Sequence, residues 1–380
     1  MKILFISNYL NNHQTELCNA LYAEKGVDFC FMQTENMSEE RLKLGWEIDE
    51  SLYPYLKRYQ DFNEKDLSKF LYEQDVIIYG DSAFDLFKRK LNKDVLVLYY
   101  RERLFKKGKV SLLRKIKHAY NYRIKNRKVK KAVLCASAYA SYDFSLLGAF
   151  KNARYKWGYF PKVYEYLESK LKRDKTSKTL NLLWVGRFID WKRTSDVIDL
   201  AKKLKDNDIK FNLKIIGTGE LENEIKNKIE VFKLNDVCSL VGSLPQEKTR
   251  EEMLKADALI VTSDKNEGWG VVVNEGMNAG AVVISSNEVG SAPYLINDSE
   301  NGYLYNVSNI DEIFSIVEKL YEDRELINII GSQAYKTIVN NFTPELAVKR
   351  LLTLIDSLKS GKPTPFESGV CSIAQVIKGD

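Results

Sequence analysis

Along nearly the whole chain, short runs rich in β-branched and aromatic residues alternate with longer stretches of helical periodicity. When a helix follows each strand, the chain must cross over before it can pair again, so it builds parallel sheets covered by helices. In the first half the strand segments are 2–7, 27–32, 76–79, 95–100 and 132–136, with a weaker sixth at 155–160. Helical stretches follow them, such as 14–24 and 67–73. The series restarts at 182–185 and continues at 213–216, 238–241, 258–261 and 281–284. Between the two series, residues 162–179 become charged and lose strand character, with Lys170, Lys172, Arg173, Lys175 and Lys178 close together. A chain of 380 residues exceeds one ordinary core. The expectation is two doubly wound α/β domains, 1–162 and 181–357, joined by a linker at 163–180. A tail at 358–380, irregular and carrying Gly and Pro, is expected to pack back on the first domain. The carboxyl edges of two such sheets are the natural walls of a cleft for a small ligand, whose identity the fold alone does not give.

Composition removes several classes of function. Hydrophobic content of 44% with only seven prolines describes a globular chain. No uninterrupted apolar run approaches the roughly 20 residues that span a bilayer. The opening MKILFIS places one Lys before a run too short for a signal sequence and reads as a first strand, so a cytoplasmic location is expected. Five cysteines (Cys18, Cys30, Cys135, Cys238 and Cys371) are scattered without a CxxC, and there are two histidines. Buried, reduced thiols and no metal centre follow from that inventory. Asp206-Asn207-Asp208 has a DxD form, but it sits in a Lys-rich helix-to-strand turn where such residues serve the backbone. Gly217-Thr218-Gly219 fails as a dinucleotide fingerprint, because Glu222 stands where the third glycine is needed.

Two constellations in the second half carry chemistry. The strand ending at Val185 runs into Gly186 and Arg187, and Lys192 follows just before a helix that begins near Thr194. A guanidinium fork and a compact ammonium at the mouth of a strand suit an anionic diphosphate. After the strand 258–261 comes Glu267-Gly268-Trp269-Gly270-Val271-Val272-Val273-Asn274-Glu275, opening into a small-residue helix expected at 276–279. Its glycines let backbone amides approach a ligand, and a helix start favours negative charge. Carboxylates do not bind phosphate, so Glu267 and Glu275 are suited to sugar hydroxyls. As a hydrolytic pair they fit poorly: eight helical residues rise about 12 Å, against roughly 5 to 9.5 Å between glycosidase carboxylates.

The Glu267-to-Glu275 segment resembles the Glu-x7-Glu signature of retaining family 4 glycosyltransferases of the GT-B fold. VGRFIDWK, ending at Lys192, resembles the family's donor motif. Ile215-Ile216-Gly217-Thr218-Gly219-Glu220, Val241-Gly242-Ser243-Leu244, Gly290 with Pro293, and Asn301-Gly302 fall in the same order. The resemblance covers roughly residues 182–341. It implies two Rossmann-like domains facing a cleft, the first for the acceptor and the second for a nucleotide sugar used as co-substrate, with no other cofactor. It further implies that Arg187 and Lys192 neutralise the donor diphosphate beside Gly186. Glu275 would hold the ribose and Glu267 the transferred sugar. The amides of Gly270, Val271 and Val272 would face phosphate or sugar, and the region of Gly217 and Val241 would hold the base. SNYLNNHQ, YYRERLFKKG, LCASAYASYDF and YKWGYFPK in the first half resemble a bacterial surface-polysaccharide subgroup. The expected activity is metal-independent transfer of a hexose, from a UDP-sugar by preference, to a glycan or lipid-linked acceptor. Many family members carry a His after the fourth strand of the first domain, where this chain has Tyr99-Tyr100-Arg101-Glu102-Arg103. Glu102 or Arg103 takes that place, and His13 in the first strand–helix loop is a further candidate. Two alternatives stand beside this reading: a sugar-nucleotide epimerase of the same fold, and a catalytically silent glycosyltransferase-like subunit.

The net charge of +6 is unevenly placed, for residues 103–142 hold thirteen Lys or Arg and no acid. Leu112, Leu113, Ile116, Ala119, Tyr120 and Ile124 recur at helical spacing, with Arg114, Lys115, Lys117, Lys125 and Lys128 falling mostly elsewhere. That pattern fits a core-packed helix with a solvated cationic face. The length of the acid-free stretch favours contact of those five cations with an anionic membrane surface, at the inner face of the cell membrane. No aromatic-interleaved motif accompanies the charge, so nucleic acid is not the expected partner.

Overall fold

The computed structural model describes residues 1–39, 48–80, 84–106, 111–124, 129–174 and 176–378. They form two compact units, Met1–Lys162 with Phe342–Lys378, and Val163–Asn341.

The first unit is built on a seven-stranded sheet of β1 (Lys2–Ser7), β2 (Asp28–Gln33), β3 (Leu56–Arg58), β4 (Val76–Tyr79), β5 (Leu96–Arg101), β6 (Lys130–Cys135) and β7 (Arg154–Lys156). All neighbours are parallel, in the order β3-β2-β1-β4-β5-β6-β7. Covering both faces of a parallel sheet buries its strands completely, which is why β1 reads as the unbroken apolar run Ile3-Leu4-Phe5-Ile6. The second unit repeats the plan with six parallel strands: β8 (Leu180–Val185), β9 (Phe211–Ile216), β10 (Cys238–Gly242), β11 (Ala258–Val261), β12 (Val282–Ser286) and β13 (Tyr303–Tyr305). Their order is β10-β9-β8-β11-β12-β13. Strand order therefore reverses between β1 and β4 in one unit and between β8 and β11 in the other, and carboxyl-edge ligands bind at such switch points.

The structure revises several sequence expectations. The short edge strands β3 and β13 were not legible, and the segment expected at 155–160 pairs only over Arg154–Lys156. The chain leaves the second unit at Phe342, not at 357. The helix Pro344–Lys359 packs against the first-unit helix Thr15–Ala23, its start fixed by the Thr343 hydroxyl, which accepts from the Leu346 amide at 3.1 Å. From there the tail lies against β7: the Lys156 amide donates to the Ser372 carbonyl at 2.8 Å and the Ala374 amide to the Arg154 carbonyl at 2.9 Å. The stretch read as a linker is seated on the second unit. Tyr164 and Asn278 exchange two hydrogen bonds, of 2.9 and 3.0 Å. Arg173 is buried with its guanidinium donating to the carbonyls of Leu171, Ala256 and Ala279. All five cysteines are buried free thiols, pushed above the usual thiol range by burial. Among the described residues no cluster of His, Cys, Asp or Glu could hold a metal ion, and Asp206 and Asn207 close the helix that begins at Thr194.

Candidate functional site

The site grows from the carboxyl ends of β8, β9, β10 and β11. Gly186 leaves β8 with its amide donating to the Ile216 carbonyl at 3.0 Å, and the Gly217 amide reaches the Gly242 carbonyl at 2.9 Å. Three strand ends are thereby laced together. Gly217 has no substitute: at φ +142° a Cβ would sit 1.8 Å from the Gly186 carbonyl oxygen. The backbone after Gly186 then turns through a short 3₁₀ segment, Asp190–Lys192, which ends on Arg193 in the left-handed region at φ 51°. A non-glycine residue there costs about 1–2 kcal/mol, and bonds of 2.8 and 3.1 Å from the Arg193 guanidinium to the Asp196 carboxylate help hold it. The Thr262 hydroxyl, itself an acceptor from the Trp184 indole at 2.9 Å, donates to the Lys192 carbonyl at 2.6 Å. The turn is thus moored to the end of β11, the next strand across the switch point.

Beyond β11 the chain makes the loop that carries Glu267. Its amide closes a turn onto the Asp264 carbonyl at 2.9 Å, and the Asp264 amide bonds the Trp191 carbonyl at 2.9 Å. The buried Trp269 indole donates to Asn274 Oδ1 at 2.8 Å, locking the loop to the first turns of the following helix. That helix runs Val271–Asn278, starting earlier than the expected 276, and Gly270 caps it at φ +85°. A Cβ on Gly270 would meet Val289 Cγ1 at 2.6 Å. The amides of a helix's first turn have no partner within it and carry the positive end of its dipole, so those of Val271 and Val272 suit an anion.

Lys192 pairs with one carboxylate and its charge reaches a second. Its Nζ is 2.5 Å from Glu267 Oε2, with both side chains 16% exposed. Its charge also acts on Glu275, in the second turn of the helix, where burial pushes the carboxyl up to about 7 against smaller opposing effects from Gln246 and Lys192. The Gln246 amide donates to Glu275 Oε1 at 3.5 Å. Arg187 is exposed beside the ring of Trp191, 5.8 Å from its centroid. Gly186, Arg187, Lys192, Gly217, Glu267, Gly270, Val271, Val272 and Glu275 thus share one sheet edge. Val241 lies at the end of β10, beside a register break between Leu240 and Gly242, with its side chain in solvent. Gln246, Thr262 and Trp191 were not read from the sequence, because a lone Gln after Pro245 or a Thr ending a strand carries no pattern.

The three first-unit candidates separate. His13, after β1, stacks on Tyr159 with ring centroids 6.1 Å apart, and the Tyr159 hydroxyl donates to Glu102 Oε1 at 2.6 Å. Lys106 pairs with the other Glu102 oxygen. Arg103, the next residue, is buried away from them over the Tyr139 ring, 5.0 Å from its centroid, and its charge acts on Asp143. Of the two residues weighed for the place of the family His, it is Glu102 that shares a cluster with His13. Lys125 and Lys128 lie outside the described residues.

Residues 167–337 match the family described as glycosyl transferases group 1. The amylovoran biosynthesis glycosyltransferase AmsK of Erwinia amylovora is 27% identical over 191 residues, 49% of this chain and 47% of that protein. The chain spans about half the length of the curated relatives it matches. The structure of Anabaena HepE in complex with UDP and glucose aligns with 93% of this chain and 99% of its own, at 15% identity and a TM-score of 0.64. A mutant of Staphylococcus aureus TarM in complex with fondaparinux, alpha-GlcNAc-glycerol and UDP aligns with 94% of this chain and 100% of its own, at 13% identity and a TM-score of 0.66. These likenesses show the fold, which is GT-B: two Rossmann-like parallel-sheet α/β domains.

Proposed function

We propose that the protein is a retaining, metal-independent glycosyltransferase that moves a hexose from a UDP-sugar to a hydroxyl of a glycan or lipid-linked acceptor in surface-polysaccharide synthesis. The observation that carries this reading is the Lys192–Glu267 ion pair beside a helix start whose next turn bears the buried Glu275 carboxyl. A site with a cation, two carboxyls and a row of helix-start amides suits a molecule with a diphosphate at its centre and hydroxyls at both ends. Lys192 and Arg187 take the diphosphate with the Gly270, Val271 and Val272 amides. Glu275 accepts from the ribose and Glu267 from the sugar, and the backbone at Gly217 and Val241 receives the base. UDP is favoured because it occupies the HepE and TarM structures.

In the transfer, the bond between the anomeric carbon and the phosphate oxygen breaks, and a bond to the acceptor oxygen forms on the same face. The acceptor proton passes to the leaving phosphate, whose growing charge Arg187, Lys192 and the helix start stabilise. Glu102, oriented by Tyr159 and Lys106, and His13 receive the acceptor in the first unit. The cationic stretch, with Arg114, Lys115 and Lys117 among the described residues, meets an anionic membrane surface at the inner face of the cell membrane. A thermal-shift panel of nucleotide sugars tests the donor assignment, since a ligand of the folded state raises its apparent stability. UDP-hexoses should raise the midpoint of the wild type and lose that effect in Lys192→Ala. A panel without any such rise would end the reading.

A further inference from the structure

The periodicity of residues 112–124 fits either a core-packed helix or one in contact with a membrane, and in the structure its large apolar residues face outward. Helix Leu112–Ala119 is capped by Ser111, whose hydroxyl accepts from the Arg114 amide, and continues into a π-helical turn, Tyr120–Ile124. Its inner side is made by Lys115, His118, Ala119 and Tyr122: His118 meets Phe105, and Tyr122 is buried among Tyr99, Phe144 and Phe150. Its outer side carries the large apolar residues. Leu112 is 72% exposed, Leu113 79%, Ile116 56%, Tyr120 54% and Ile124 58%. At 100° per residue the first four share an arc about 100° wide, and Lys117 follows about 40° past its edge. Single exposed leucines are ordinary, but a contiguous outward stripe of five marks a contact surface.

Resting on the membrane reading above, we propose that this helix is an interfacial anchor that sinks Leu112, Leu113, Ile116, Tyr120 and Ile124 among the acyl chains of an anionic bilayer, with Lys117 beside them at the headgroups. Charge complementarity selects the occupant. Arg114, Lys115, Lys117 and Arg123 lie on the same short helical stretch, within a segment 103–142 whose sequence holds thirteen cations and no acid. A nucleic acid would satisfy the cations and leave the leucines in water, whereas a bilayer with anionic headgroups satisfies both. No helix of the described residues is long and apolar enough to cross a bilayer, so this one lies in its surface.

The test uses the full chain and vesicles of phosphatidylcholine mixed with phosphatidylglycerol. Because the native cysteines are all buried, Leu113→Cys accepts an environment-sensitive thiol dye selectively. Insertion predicts a blue shift on vesicles and quenching by lipids brominated on their acyl chains. Leu112→Ser with Leu113→Ser, both outside the core, should leave the circular dichroism unchanged and weaken vesicle affinity by about tenfold or more. Part of the wild-type binding should also survive 1 M salt, where screening shortens the reach of charge to about 3 Å. Binding fully released by salt, with no blue shift, overturns insertion while leaving the surface-charge reading standing. Absence of vesicle binding removes both. A concentration-dependent dimer that the two serines abolish, without vesicle binding, assigns the stripe to a second copy of the chain and likewise overturns the anchor.

Discussion

Replacing Glu275 by Gln separates what this carboxyl costs the fold from what it does for the ligand. In the unfolded chain it loses its proton near 4.5, whereas burial in the second unit holds the proton up to about 7. Between those values the folded state keeps a proton that the unfolded state has released, so stability falls as pH rises through the window and is level above it. Each tenfold in the proton equilibrium is about 1.4 kcal/mol, so the ionised carboxyl costs the folded unit up to about 3 kcal/mol above pH 7. Glutamine keeps the shape and never ionises. The variant should match the wild type near pH 4.5 and exceed it at pH 8, by up to roughly 10 °C in the midpoint of a unit this size. Its affinity for the nucleotide should fall, because a neutral amide is a poorer acceptor for ribose hydroxyls than a carboxylate. Thermal unfolding across pH 4.5 to 8, paired with calorimetric titration of UDP, reads both effects. Equal stability at pH 8 would refute the buried-carboxyl argument, and unchanged affinity would remove Glu275 from the donor site.

Lys192→Ala should weaken UDP binding by about tenfold or more, since hydrogen bonds to charged groups contribute roughly 1.5–3 kcal/mol. It should also move the Glu275 window to higher pH by removing a nearby positive charge, and titration calorimetry at several pH values checks both. Gly270→Ala places a methyl group against Val289 at a φ that L-residues avoid. A loss of about 1–3 kcal/mol with weaker donor binding is expected, and denaturant melts of the purified variant measure it. Transfer activity should persist in excess chelator; complete loss restored by added manganese would show that a metal does what is assigned here to Arg187, Lys192 and the helix start.

The parallel strands were legible because burial on both faces writes them as unbroken apolar runs, as in Ile3–Ile6 of β1. Leu56-Lys57-Arg58 and Tyr303-Leu304-Tyr305 escaped because three-residue edge strands carry almost no pattern. The early start of the helix Val271–Asn278 is not written in three consecutive valines, whose β-branching gives them weak helix preference, but is set by the left-handed Gly270. Site residue types were visible one at a time, but nothing in a spacing says that Lys192 and Glu267, so far apart in the chain, form an ion pair. The return of the chain to the first unit at Phe342 depends on which surface the helix Pro344–Lys359 finds to bury, a tertiary choice. Likewise, periodicity announced an apolar face on residues 112–124 and was silent on what covers it.

In the proposed reaction, sugar leaves a nucleotide at the edge formed by Arg187, Lys192, Glu267 and Glu275. Its most direct test follows the label from a radioactive UDP-hexose incubated with the protein and a lipid-linked or glycan acceptor fraction. Label should appear on the acceptor with matching release of UDP and retained anomeric configuration in the product, and Glu267→Ala should transfer none. Label that returns only as an isomeric sugar nucleotide, or that stays on unreacted donor with every acceptor fraction, would contradict it.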